Sequence, residues 1–252
     1  HPDRLEAPLH WRKPRRVFVN SMSDLFHEQV PAAFIGEVFM TMALSPRHTF
    51  QILTKRPSKM LEWFTWADSH KVYKSGDSHS LPRWNMNRGL WPLPNAWLGV
   101  SVEDQRRADE RIPILAQVPA AVRFLSCEPL LGPIDLSKCR FECADCRHIH
   151  PGGRVCNWDD CTCPSSRSQM PGWVICGGES GPGARPCRVE WIRDIVRQCW
   201  EAQVPVFVKQ LGAKPYIGLD REWRDPPFLE LRDRKGGDPS EWPEDLRVRE
   251  YP

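Results

Sequence analysis

The sequence predicts an α/β fold of repeated strand and helix units on a parallel sheet. Two observations predict it. Short apolar runs rich in β-branched residues alternate with amphipathic segments along the chain. The apolar runs also lack the in-and-out alternation of half-exposed antiparallel strands, so both sheet faces are expected to be covered. The first strand is expected at 17–20, and the following helix at 31–44 carries Phe34, Ile35, Val38, Phe39 and Met42 on one face, with Pro31 suited to a first helical position. Further strands are expected at 49–53, 97–102, 122–126, 173–176 and 206–208, and further helices at 57–67, 105–117 and 190–202.

Length and composition narrow the class. A chain of 252 residues is one large domain or a domain with an inserted module. Apolar residues are 40% and charged residues 27% of the chain, and no apolar run approaches the roughly 18 residues that span a bilayer, so a membrane protein and a wholly disordered one are both excluded. The net charge of +3 does not by itself argue for a nucleic-acid coat. Proline, at 25, is about twice its average usage, and six of the ten cysteines are crowded between Cys139 and Cys163. Such crowding is unlike a secreted disulfide framework, and the chain does not start with an export signal, so a cytoplasmic location is expected. The start at His1 rather than methionine reads as that of a fragment.

Three stretches break the rhythm. Residues 69–94 are polar with Pro82, Pro92 and Pro94, as a long loop; 137–172 hold the cysteines, as an insertion between two strands; 214–252 are rich in charge and proline, as an irregular tail. The expected organisation is therefore a (β/α) portion at 1–136 and 173–213, a Cys/His-rich insertion at 137–172, and a C-terminal extension at 214–252 packed on the (β/α) portion.

In parallel α/β folds the chemistry sits at the carboxyl ends of the strands. There this sequence places Asn20, Ser21 and Asp24, then Thr54, Lys55 and Arg56, then Ser101 and Glu103, then Ser126, Cys127 and Glu128, then Gly177, Gly178 and Glu179, then Lys209 and Gln210. Some of these groups would merely cap the next helix. Glu103, Glu128, Glu179, Lys55 and Lys209 are the catalytic candidates. Glycines in the run from Gly177 to Gly183 suit either a backbone nest for an anionic ligand or a tight turn without one.

Within the insertion, Cys143 and Cys146 have the C-x2-C spacing that lets two thiolates share a tetrahedral ion. Cys156, Cys161 and Cys163 can supply the other pair, and together with Cys139, His148 and His150 the eight ligands suffice for two ions. A rival is a [4Fe-4S] cluster on Cys139, Cys143 and Cys146, spaced C-x3-C-x2-C as in radical S-adenosylmethionine enzymes. Against it, Asp145 stands where those enzymes carry an aromatic residue, and the motif falls late in the chain. Cys176 and Cys199 are expected in the core, whereas Cys127 and Cys187 lie near the rim and are candidates for exposure.

Several strings carry a resemblance: VFVNSMSDLFHEQVP, HTFQILTKRP, WLGVSVEDQ, VRFLSCEPLLGPIDL, WVICGGESGPGARP, VPVFVKQLG and the closing RDRKGGDPSEWPEDLRVREYP. In this order they closely resemble the phage Gp-thirty-seven/sixty-eight family, a domain of unknown function, from about Trp11 to Pro252. That family looks like a variant of the radical S-adenosylmethionine enzymes, which implies a partial (β/α) barrel and an N-terminal three-cysteine segment for the iron-sulfur cluster. No cysteine precedes Cys127 here, so the cluster ligands cannot be carried over. The resemblance does imply that Asn20, Ser21, Asp24, Thr54, Ser101, Gly177 and Gly178 face the S-adenosylmethionine.

Three functional readings follow. The first is a radical S-adenosylmethionine-type enzyme of phage or prophage type, its active site at the strand carboxyl ends. The second is a nucleic-acid-binding or modifying module, on the basic run His10-Trp11-Arg12-Lys13-Pro14-Arg15-Arg16, the twelve tryptophans and the possible zinc site. The third is a non-catalytic partner protein. Membrane association is expected of none of them.

Overall fold

The computed structural model describes residues 4–69, 92–138, 171–218 and 228–252. The six metal-candidate cysteines and most of the 69–94 stretch lie outside them. The chain is α/β, with six parallel strands alternating with helices, as its periodicity predicts. In order they are β1 (Arg16–Val19), α1 (Ala32–Leu44), β2 (Thr49–Thr54), α2 (Pro57–Ser69), β3 (Ala96–Ser101), α3 (Gln105–Gln117), β4 (Val122–Cys127), β5 (Trp173–Gly177), β6 (Cys187–Arg188), α4 (Val189–Glu201), β7 (Val206–Gln210) and β8 (Pro215–Tyr216). β6 and β8 form a separate two-stranded pair; two-residue strands have no periodicity to read. No described helix is long and apolar enough to cross a membrane.

The residues fall into two compact units, His1–Val100 with Gln117–Arg123, and Ser101–Ala116 with Phe124–Pro252. In the first, β1, β2 and β3 pair in parallel and in chain order, the singly wound sequence of (β/α) repeats. Phe50, Ile52 and Leu98 are buried on the strands. α1 buries Ile35, Val38, Phe39 and Met42, and Phe39 stacks on Trp63 of α2 at 5.0 Å between ring centres. Pro31 caps α1 in an extended conformation rather than opening its first turn. A helix end leaves carbonyls without intrahelical donors. Asn95 meets that need: its Nδ2 lies 2.9 Å from Met42 O, 3.2 Å from Ser45 O and 3.1 Å from His48 O. Asn20 is not in a strand; at φ 56° it turns the chain out of β1, and Ser23 N–H donates to its carbonyl.

In the second unit β4, β5 and β7 pair in parallel, again in chain order. α4 presents Val189, Ile192, Ile195, Val196 and Cys199 as its buried face, and Gln198 ties it to the segment after β4, donating to Ile134 O at 2.8 Å and accepting from Leu136 N at 2.7 Å. An open strand edge carries unpaired backbone groups. On β7 these are met by the chain terminus: Val208 N–H donates to Val248 O and Glu250 N–H to Val206 O, both at 2.9 Å, with Phe207 and Arg249 bridged antiparallel. Trp173 Nε1 donates to Glu250 O, and Trp242, 2% exposed, donates to Gly236 O.

The glycines of this unit divide into two kinds. Gly181 and Gly183 have φ of 106° and 75° with open space around them, so conformation selects glycine. Gly177 and Gly178 are selected by contact: a Cβ on Gly177 would stand 2.5 Å from Gln210 O, and one on Gly178 would strike Leu211 O. We predict that Gly178→Ala destabilises the protein by about 1–3 kcal/mol, the usual cost of overpacking. Gly36→Ala, in α1 with nothing near its added methyl group, should stabilise by about 0.4–1 kcal/mol. Urea unfolding of the two variants beside the parent checks both signs.

Candidate functional site

In the first unit the carboxyl ends of β1 and β2 are joined by one carboxylate. Asp24 Oδ1 accepts from Thr54 Oγ1 at 2.8 Å and from Phe26 N, while Oδ2 accepts from Lys55 N and from Arg56 Nη1 at 2.9 Å. Thr54 is 1% exposed and passes the network on by accepting from Arg56 N. Asp24 and Thr54 thus come together as a brace between the loop after β1 and the end of β2. Asn20 and Ser21 stand on the exposed turn before it, and the Lys55 side chain is exposed.

The second unit gathers the other candidates. Glu103, after β3, is 7% exposed and pairs with Arg111 of α3 at 2.9 Å; the same Nη1 reaches Ser101 O at 2.8 Å. Removing one partner of so buried a pair typically costs about 3–5 kcal/mol, which marks Glu103 and Arg111 as a structural clamp on the β3–α3 connection. Glu179, after β5, accepts from Arg185 Nε at 2.7 Å, Nη2 at 2.9 Å and its backbone N–H at 2.9 Å, closing the glycine loop on itself. That hydrogen-bonded carboxylate, above all, raises the guanidinium above its ordinary range, with the charge of Glu103 adding.

Glu128 and Lys209 form the third pair, at 2.9 Å. They project from β4 and β7, so they meet over β5, the strand between them. The carboxylate side chain is mostly buried, at 14% exposure, and the ammonium side chain mostly exposed, at 56%. Gly177 and Gly178, beneath, have their side-chain space taken up by the chain leaving β7, and Gly178 N–H donates to Gln210 O. Three carboxylates and three cations therefore stand in balance at the ends of β3, β4, β5 and β7. Such an arrangement suits a ligand carrying both an ammonium and a carboxylate, because each ligand charge can exchange for the protein partner it resembles.

Arg111 and Arg185 were not among the candidates. Arg111 was legible: with Ala108, Ile112 and Leu115 it occupies the buried face of α3, and a cation there needs a buried anion. Arg185 had no such signal, because only the turn geometry returns it to Glu179.

The expected exposure of Cys127 and Cys187 is corrected. They are 0% and 1% exposed, because Cys127 pairs across the sheet with Cys176 and Cys187 pairs with Pro215. Cys176 and Cys199 are buried as expected. Burial pushes the Cys187 thiol up to about 12, and does the same to Cys199 with the charge of Glu250 adding. Cys176 is also raised well above its usual range, by burial first and then by the neighbouring thiols and Glu128. Among the described residues no three His, Cys, Asp or Glu side chains stand together as a metal site.

Fold and site together define a parallel α/β protein of (β/α) repeats with ion-paired groups at the carboxyl ends of its strands. The chain belongs to the family described as protein of unknown function (DUF5131), whose model matches residues 1–226. No curated protein and no solved structure matches it.

Buried thiols are inert to reagents in water. Cys127, Cys176, Cys187 and Cys199 should resist iodoacetamide at pH 7.5 in the folded protein and react fully in urea, as read by peptide mass spectrometry. Rapid native labelling of any of the four contradicts the burial.

Proposed function

We propose that this chain is an enzyme of the radical S-adenosylmethionine type, whose active site is the ion-paired rim at the carboxyl ends of β4, β5 and β7. The observation that carries the reading is the Glu128–Lys209 pair, a mostly buried carboxylate and a solvent-facing ammonium held 2.9 Å apart over a glycine strand end. A zwitterionic amino acid moiety fits it: the ligand ammonium goes to Glu128 and the ligand carboxylate to Lys209. S-adenosylmethionine has such an end, and when bound it would supply an activated carbon on its sulfonium sulfur. The residues of this chain hold and orient it; Glu103–Arg111 and Glu179–Arg185 keep the flanking loops in place.

A [4Fe-4S] cluster needs thiolates. The four described thiols do not suit it, being buried, with the shifts resolved for Cys176, Cys187 and Cys199 all favouring the protonated form.

The test is calorimetric titration of the full chain with S-adenosylmethionine. Glu128→Gln and Lys209→Met should each weaken binding by about tenfold or more, since a hydrogen bond to a charged group is worth about 1.5–3 kcal/mol. Unchanged thermal unfolding would show both variants folded. No binding by the parent, or equal binding by both variants, overturns the reading.

The insertion adds a proposal from its spacing, a structural zinc on Cys143 and Cys146 with two of Cys139, Cys156, Cys161 and Cys163. Elemental analysis of the purified chain should find about one zinc per chain, lost in the Cys143→Ser/Cys146→Ser variant. Iron with acid-labile sulfide in its place would favour the cluster instead.

A further inference from the structure

The described residues that lead into β1, β2, β3 and β4 differ in charge from those that follow these strands. Segments 7–15, 45–48, 92–95 and 117–121 lead into β1, β2, β3 and β4, and none contains an aspartate or glutamate. Arg12, Lys13, Arg15 and Arg47 stand there and Arg16 opens β1, all exposed. Arg47 is distant in sequence from the other four and is brought beside them by strand pairing: Arg16 is the partner of Thr49, and Thr49 N–H donates to Arg15 O at 2.9 Å. The acidic residues flanking the basic run in sequence are Glu6 and Asp24, and Asp24 is committed to Arg56 and Thr54 at the other end of β1.

The run is also held in shape. His48, 1% exposed, accepts from Arg15 N–H at Nδ1 (3.1 Å) and donates from Nε2 to Pro8 O (3.1 Å). Trp11 packs edge-on against the His48 ring at 5.5 Å, and the Arg15 guanidinium lies over Trp11 at 4.7 Å from the ring centre. The tryptophan therefore serves to position an arginine. Like charges placed this close repel one another, and an external polyanion relieves that repulsion while releasing its own counterions.

We propose that this face binds the phosphate backbone of a nucleic acid through Arg12, Lys13, Arg15, Arg16 and Arg47. Four of the five are arginines, whose planar fork matches phosphate oxygens. An anionic membrane is the weaker match, because Arg12 to Arg15 run in no helix, and interfacial binding is typically built on an amphipathic helix with an apolar face. The proposal is independent of the S-adenosylmethionine reading.

The experiment is fluorescence anisotropy of the full chain with a labelled single strand and a labelled duplex over a salt series. Five phosphate contacts predict a slope of log K against log salt of about −3.5 on the single strand or −4.5 on the duplex. Arg12→Glu/Lys13→Glu should weaken binding at least tenfold and flatten the slope by about 2, and Arg47→Glu should act in the same direction. Both sets of changes lie on exposed side chains, and a thermal melt confirms folding. Affinity unchanged in the variants, a slope near zero, or binding to phosphatidylserine vesicles without binding to either oligonucleotide overturns the proposal.

Discussion

The second unit depends on a place where backbone meets backbone with no side chain between. After β5 the chain passes Gly177 and Gly178 directly under Gln210 and Leu211 leaving β7, and Gly212 and Gly236 continue the contact. Gly212 has φ 91°, and a Cβ there would stand 2.8 Å from Glu179 O. Gly236, at φ 64°, lies against Gly212 in turn. Three hydrogen bonds follow from the close approach: Leu211 N–H to Gly236 O, Ala213 N–H to Glu179 O, and Trp242 Nε1 to Gly236 O. The C-terminal segment is thereby seated, and with it the residues that cover the edge of β7. The carboxylates of Glu128 and Glu179 take their positions from strand ends held by this crossing.

How far the sequence foretold this varies with the range of the interaction. Strands and helices fell within about two residues of their expected limits because the apolar periodicity is local. Asp24, Thr54, Glu128 and Lys209 were legible as strand-end residues, since a strand end is itself a local feature. Their partners were not, because the Glu128–Lys209 pair joins residues 81 apart. The Gly177–Gly178 pair shows the same limit. Its sequence is compatible with a ligand nest or with close packing, and only the return of residues 210–212 shows that backbone takes up the space. Cys127 and Cys187 looked peripheral for the same reason, since the residues that cover them come from distant segments.

Ion pairing at the strand ends also separates support from exposure. Arg111–Glu103 is nearly removed from solvent, at 13% and 9% side-chain exposure, and a pair so placed is costly to open because each charge would be left dehydrated. Arg185–Glu179 is bidentate but more open, at 55% and 30%. Lys209–Glu128 is asymmetric, with a carboxylate shielded by the sheet and an ammonium on a flexible stem in water. It is the pair in which a mostly buried carboxylate meets a largely solvated cation. That asymmetry, more than the number of charged residues, is what supports the proposal of this pair as the contact point for a ligand.

The first unit distributes its charge in the opposite manner. At the carboxyl ends Asp24 receives donors from Thr54, Arg56 and the backbone of Phe26 and Lys55, so its charge is satisfied inside the fold. Among the described residues at the entering ends, by contrast, Arg12, Lys13, Arg15, Arg16 and Arg47 are all exposed. In (β/α) proteins the entering face ordinarily serves stability, and a cluster of one sign does not, since its self-repulsion opposes compaction. The fold nevertheless commits a buried histidine and a tryptophan to holding Arg15 in place. A cation already held in place loses less side-chain entropy when an extended polyanion is laid across it, so the His48 and Trp11 contacts to Arg15 would favour the proposed binding over the same charges on a loose arm.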